Sequence, residues 1–446
     1  MRYPAAKQYL ASLANYEKNT RYNYRAAFKP GRFKEFLKLI GNPQNSLKII
    51  HVAGTKGKGS ACVFTAYILR EAGFSVGLYT SPHLVDFRER IRILKPGLAQ
   101  GNFRGADFEG MIPPKEIARL VRGLKPLVAG YNRHARFGPL SFFEVYTALA
   151  FLYFKNQQVD FTVLETGLGG RLDATNAAAA LVVGITPISL EHTDKLGNTL
   201  AKIAAEKSGI IKQSGIAVIS SPQDPPARKV IFLRCQKFRA KLFEVGRQIK
   251  YTIVGQGASI RGLKNDYVNL RLNLIGEHQV ANAALAVGMV EALSLRGFNI
   301  PASAIKRGLA RAVWPGRCEL IRKYPSVVLD GAQNLASARI LKKAIQDHFS
   351  YRKLILILGI SQDKDIAGIC RCLASLADEV VLTRANTPRA AAPEQFAGYF
   401  KPKPYLTHSV KEAKILGLDL AGRQDLILIT GSLFVVGEFK KCTPII

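Results

Sequence analysis

The sequence predicts an α/β protein of two domains built on mainly parallel sheets, and three observations carry that reading. Short apolar runs alternate with helical patterns, the arrangement by which crossover helices join parallel strands. At 446 residues the chain exceeds the ~250–300 residues at which a single hydrophobic core stops growing. A Trp314-Pro315-Gly316 turn then marks a boundary, dividing the chain into residues 1–313 and 314–446.

Residues 1–48 read as largely helical: Phe33, Phe36, Leu37 and Ile40 share helical spacing, and Gly41-Asn42-Pro43 is a stop. The apolar run 49–53 is a strand, Gly54-Thr55-Lys56-Gly57-Lys58-Gly59-Ser60 a turn, and 61–69 the start of a helix. Gly73-Phe74 ends that helix; 76–80 is the next strand, with Ser81-Pro82-His83-Leu84 as a ligand-facing loop. Residues 92–110 look irregular, an ordered substrate loop being the alternative. An apolar helix runs from 142 to about 154, and strand 159–164 leads into Glu165-Thr166-Gly167-Leu168-Gly169-Gly170. Strand 181–185 precedes Glu191-His192-Thr193-Asp194, and a helix over 199–208 closes at Gly209. Residues 217–219 and the region 231–275 read as short strands, and 278–293 as a strong helix. Beyond the boundary, strands at 326–330, 354–358, 379–382 and 426–430 alternate with helical patterns.

Composition narrows the classes. Lys and Arg number 64 against 32 acidic residues, a net charge of +32 that makes nucleic-acid binding a rival hypothesis. The basic residues are nevertheless spread along the chain, with no zinc-finger or RNA-binding aromatic signature. No 18-residue apolar run suggests a membrane span, and the N-terminus lacks the apolar core of a signal peptide. Cysteines 62, 235, 318, 370, 372 and 442 form no metal-ligand pattern, and Cys370-Arg371-Cys372 is too tightly spaced for the usual pair. Reduced thiols and a cytoplasmic location are expected.

The 54–60 turn has the form of a nucleotide phosphate cradle. Its glycines let the backbone close on phosphate oxygens, and the following helix offers unpaired N–H groups. Lys58 sets a cation against the terminal phosphates, and the Ser60 hydroxyl helps hold Mg2+. Glu165 and His192 each follow a strand and are candidate divalent-ion ligands, although histidine is an uncommon Mg2+ ligand. Asp173 and Asp194 are alternative carboxylates, or caps and turn residues. Lys207, beside Glu206, reads as half of an exposed ion pair, with a catalytic lysine as the alternative. Asp330 suits either a ribose contact or a capping turn, and Arg317 either a phosphate contact or a surface position. Gln279 and Asn282 share a helix face, set to meet a base or to pack internally.

Taken in order, these segments resemble the folylpolyglutamate synthase and dihydrofolate synthase family of the Mur ligase superfamily. The resemblance runs through residues 54–60, 80–84, 142–154, 165–176, 191–212, 276–286, 314–319, 329–334, 361–365 and 430–437. It implies a P-loop Mur-ligase-like ATPase domain with folate-binding loops, followed by a smaller Rossmann-like domain. It further implies ligation of L-glutamate to a folate or dihydropteroate carboxylate through an acyl phosphate, with ATP and Mg2+ as cofactors. In that correspondence Gly54, Thr55, Lys56, Gly57, Lys58, Gly59 and Ser60 hold the nucleotide with Asn282, Arg317 and Asp330. Ser60, Ser81, Glu165 and His192 serve magnesium, and Lys207 carries a CO2-derived carbamate that joins them. Lys58, Lys207, His192 and Glu165 are the implied catalytic set, in a monomer with no membrane or nucleic-acid partner.

Some positions depart from the family pattern. Lys56 stands where Asn is frequent, Glu191 where Asp is usual, and Ser208 for a frequent alanine. Gln333-Asn334-Leu335 replaces a common His-Asn-Pro, which removes an imidazole and is expected to relax the turn. Two alternatives accompany the reading: a Mur-type amide ligase for another carboxylate, and a nucleotide-gated RNA-binding or scaffold protein.

Overall fold

The computed structural model describes residues 1–17, 22–97, 108–255 and 257–442. Its first sheet has seven strands: β1 (Ile49–Ala53), β2 (Val76–Tyr79), β3 (Ile91–Leu94), β4 (Phe161–Glu165), β5 (Ala180–Ile185), β6 (Ala217–Ser220) and β7 (Lys241–Glu244). They lie in the order β3-β2-β4-β1-β5-β6-β7. All neighbours are parallel except β2 and β3. β1 is therefore central, and its carboxyl end is level with those of β4 and β5: Val52 pairs with Glu165 and Ala53 with Ile185. In open α/β sheets, ligands bind in the crevice beyond such strand ends.

Every β1 residue is buried, and alternation sends its side chains to opposite faces. Ile49 and Ala53 join the core formed with the Phe142–Asn156 helix, while Ile50 and Val52 join that formed with the Lys58–Glu71 and Glu277–Ser294 helices. A small antiparallel sheet follows: β8 (Lys250–Val254), β9 (Gly257–Arg261) and β10 (Asp266–Arg271).

The last sheet comprises β11 (Glu319–Lys323), β12 (Ser326–Leu329), β13 (Leu354–Leu358), β14 (Glu379–Leu382), β15 (Tyr405–Leu406) and β16 (Leu426–Thr430). Its order is β11-β12-β16-β13-β14-β15, parallel apart from the β11–β12 hairpin. β16 again alternates, with Leu426 and Leu428 in one core and Ile427 and Ile429 in the other. Among the described residues, no helix is long and apolar enough to cross a membrane.

Two segments differ from the sequence expectation, and a third carries a helix for which none was stated. Residues 231–237 belong to the Pro225–Lys237 helix, so the short strands begin only at Lys241. The Pro225-Pro226 start provides the pre-set φ of a first helical turn. Residues 92–94 are not irregular but pair with β2 as part of β3; residues 98–107 lie outside the described structure. The Pro114–Arg133 helix was not legible because Pro126 lies inside it. An interior proline costs ~3 kcal/mol. A stripe of Ile117, Leu120, Val121, Leu124 and Val128, buried along its length, offsets that cost.

Candidate active site

The 54–60 loop is held by backbone and by close packing. Thr55 N–H donates to the Pro187 carbonyl at 3.0 Å, and Ser189 N–H donates to Thr55 Oγ1 at 3.1 Å. The loop is thereby stitched to the segment leaving β5. Gly54 and Gly57 have φ of +149° and +82°, in the region that favours glycine. Space matters as well: a Cβ on Gly57 would lie 2.3 Å from Asn282 Oδ1, and one on Gly59 would lie 2.9 Å from the Trp314 ring. Gly57 caps the Lys58–Glu71 helix with no side-chain partner, leaving that helix's first N–H groups facing the loop.

A cavity of about 1000 Å³ opens over this loop and runs to the carboxyl edge of the last sheet. Thr55, Lys56, Gly57, Lys58, Gly59, Ser60, Ser81, Glu165, His192 and Asn282 line its near side; Arg317, Asp330 and Gln333 line the far side. Lys58 Nζ rests 3.4 Å from the Thr55 carbonyl. Glu165, at the end of β4, accepts from Ser81 N–H at 3.0 Å. Burial raises its carboxyl above the ordinary value, opposed by Lys58, that N–H and Arg317. His192 occupies a left-handed backbone position (φ +52°). Burial is the main cause lowering its pKa, with Glu191 opposing. Asn282 donates to Gln279 Oε1 at 3.0 Å; both are buried, and Asn282 lies against Gly57.

Gly54 and Lys207 do not line the cavity. Lys207 lies behind the loop, 4% exposed, donating to the Gly54 carbonyl at 2.6 Å. This overturns the expected exposed pair with Glu206, which bonds Arg171 instead at 2.7 Å. Neighbouring helical positions do not face each other, and Lys207 points to the interior while Glu206 turns toward Arg171. Burial, with Lys58 adding like charge, pushes the Lys207 ammonium down to about 7. Asp173 is buried and caps the 174–177 turn through Thr175 N–H and Oγ1, whereas Asp194 is an exposed partner of Lys195 at 2.7 Å.

On the far side, Asp330 follows β12 and accepts from Cys318 N–H and Ala332 N–H, both at 2.8 Å. Burial raises its carboxyl and Arg317 opposes. Asn334 caps the Leu335–His348 helix: its side chain accepts from Ser337 N–H at 2.9 Å, and Ser337 Oγ takes Asn334 N–H at 3.2 Å. Side-chain capping thus orders this turn in the absence of a proline.

Sequence reasoning missed Arg90, which lines the cavity, pairs with Glu17 through two bonds of 2.6–2.7 Å and donates to His83 Nδ1 at 3.0 Å. A buried arginine leaves no periodic signal. Among the described residues, no three His, Cys, Asp or Glu side chains gather to hold a metal by themselves. The cavity-lining donors are hard oxygens of Ser60, Ser81 and Glu165 beside the His192 imidazole, and the oxygens fit a hard cation such as Mg2+.

The family models agree with this arrangement. Residues 142–290 match the Mur ligase middle domain, and residues 316–433 match the Mur ligase glutamate ligase domain. The chain is 32% identical to the dihydrofolate synthase/folylpolyglutamate synthase of Bacillus subtilis, covering 92% of this chain and 94% of that one. It superposes on Mycobacterium tuberculosis folylpolyglutamate synthase complexed with ADP with a TM-score of 0.82, at 32% identity over 98% of this chain and 96% of that one. Against E. coli FolC in complex with DHPP and ADP the TM-score is 0.80, at 28% identity over 98% and 97%. The chain belongs to the folylpolyglutamate synthase/dihydrofolate synthase family of Mur ligases.

Proposed function

We infer that this protein is an ATP-dependent ligase that joins L-glutamate to a folate or dihydropteroate carboxylate. The observation that carries the reading is one cavity with a lysine- and glycine-rich helix N-terminus on one wall and Asp330 with Arg317 on the other. The γ-phosphoryl group of ATP passes to the acceptor carboxylate, giving an acyl phosphate and ADP. The glutamate amine attacks the acyl carbon, phosphate leaves, and the amine loses a proton as the amide forms. Lys58 and the helix N-terminus offset charge on the transferring group, and walls from both sheets keep water from the acyl phosphate.

Finer assignments belong to the same proposal. The domains divide at 313/314, so that Asn282 and the 54–60 loop meet the nucleotide from one side and Arg317 and Asp330 from the other. Ser60, Ser81, Glu165 and His192 would hold Mg2+, which when bound offsets phosphate charge. Lys207 fits carbamylation because burial keeps much of it as free amine near neutral pH, and only the amine attacks CO2, releasing a proton. For the carbamate to add a carboxylate to that set, the Lys207 side chain would leave the Gly54 carbonyl and turn toward the cavity. The protein is proposed to act as a cytoplasmic monomer without a nucleic-acid partner.

The test supplies ATP, Mg2+ and L-glutamate with either dihydropteroate or a reduced folate, and reads product mass. Addition of one glutamate residue to either acceptor is expected. No amide product with both acceptors, from folded protein, overturns the assignment.

A further inference from the structure

The loop carries two lysines in different electrostatic settings. Lys58 Nζ rests on a neutral carbonyl, that of Thr55. Lys56 Nζ instead sits 2.5 Å from Glu191 Oε1. Both side chains line the cavity with Ser60 and Asn282. The pair is not locked away: Lys56 is 39% exposed and Glu191 27%. Pairs so accessible to water contribute little net stability, so an incoming polyanion displaces one partner at low cost.

The backbone leading to Glu191 is anchored at Pro187 and Ser189. Its segment is tied to the loop through Pro187, whose carbonyl takes Thr55 N–H at 3.0 Å and Lys56 N–H at 3.4 Å, and through the Thr55–Ser189 bonds. The chain leading to Glu191 is therefore held at the loop, while the long Lys56 stem is free to swing toward phosphate. With Lys56 held by Glu191, the loop offers phosphate chiefly the charge of Lys58; with Lys56 released, it offers two cations.

We propose that Lys56 is a second phosphate-binding cation of this loop, and that Glu191 is a positioning residue that holds it until nucleotide takes it over. This rests on the reading of residues 54–60 as the nucleotide site. Glu191 then acts against nucleotide binding chiefly through Lys56, its ion-pair partner, with Lys58 and His192 also within reach of its charge.

The experiment titrates a non-hydrolysable ATP analogue with Mg2+ into the full-length chain by calorimetry. Lys56→Gln is expected to weaken binding about tenfold, the loss of one charge-assisted contact, with Lys56→Arg restoring most of it. Glu191→Gln is expected to tighten binding about twofold to fivefold, the range of a partly exposed ion pair. In the Lys56→Gln background, Glu191→Gln should tighten binding less than it does alone. The proposal is overturned if Lys56→Gln binds like the unaltered chain, or if Glu191→Gln fails to tighten binding. Lys58→Ala separates the two readings: if it alone loses affinity, the nucleotide site stands and the role of Lys56 falls. If Lys58→Ala binds normally, the site assignment itself fails.

Discussion

The two sheets face each other across the cavity with the same construction and opposite chemistry. Each sends a buried parallel strand into a short turn and then a helix: β1 into the 54–60 loop, β12 into residues 330–334. The first turn is glycine-rich, stitched to its neighbour by backbone bonds, and supplies Lys56 and Lys58. The second supplies a carboxylate, Asp330, whose oxygens are pinned by two backbone N–H groups. Strand ends position groups precisely without dictating their charge, so one architecture serves as an anion cradle on one wall and as a carboxylate site suited to sugar hydroxyls on the other. Arg317 links them, since its charge acts on both Glu165 and Asp330.

The comparison breaks most visibly at the first wall. Lys58→Ala removes a cation where charge develops during phosphoryl transfer and is expected to lower kcat/KM for ATP about 10²–10³-fold. Steady-state kinetics checks this, and turnover within threefold of the unaltered chain would refute the role of Lys58. Asp330→Asn should do less. The carboxamide keeps one acceptor but turns an NH2 group toward the Cys318 or Ala332 N–H, disturbing the pinned geometry. A rise in KM for ATP of about tenfold, with kcat less affected, is expected from losing a hydrogen bond to a charged group.

Both turns were legible as strand-turn-helix units because glycine, the helix pattern after residue 60 and the apolar runs are local signals. Lys207 was not legible in its true setting. Nothing in the sequence distinguishes a lysine that donates to the Gly54 carbonyl from one beside Glu206 on the surface, because the bond spans 153 positions. Arg90 was missed for the same reason. The Pro114–Arg133 helix was missed because a local breaker was outweighed by burial against distant elements. Local grammar thus revealed where chemistry is presented, while long-range packing decided which charged groups stand behind it.

His51 sharpens the contrast in acid. It lies in β1 beneath the phosphate loop, fully buried, with Nε2 2.8 Å from Thr175 Oγ1 and Nδ1 without a partner among the described residues. Burial, with nearby Lys212 adding like charge, lowers its pKa to about 3. The unfolded chain binds a proton at this residue as pH falls through ~6.5, and the folded chain does not until about 3. Stability is therefore intact above that upper value and falls on acidification by about 1.4 kcal/mol per pH unit. Relative to pH 7, the loss at pH 5 is about 2 kcal/mol. Denaturant unfolding of His51→Gln at the two pH values should show a correspondingly smaller difference than the unaltered chain. An unchanged difference would remove His51 as the cause.

The smallest expected effects test what orders the second turn. If the Asn334–Ser337 capping box supplies the order, Asn334→Ala should cost about 1 kcal/mol of stability. Leu335 occupies the first helical position, where a proline's missing N–H is harmless. Asn334 already has φ −150° and ψ +164°, the extended geometry that a following proline demands. Leu335→Pro should therefore be accepted, and by restricting the unfolded chain it should stabilise the fold by about 0.4–1 kcal/mol. Denaturant midpoints of the two variants provide the measurement. A destabilising proline would mean that this turn differs in backbone from one built around His-Asn-Pro. A stabilising one would mean that the capping box already imposes the geometry, so that the substitution at Leu335 changed the residue and left the wall of the cavity in place.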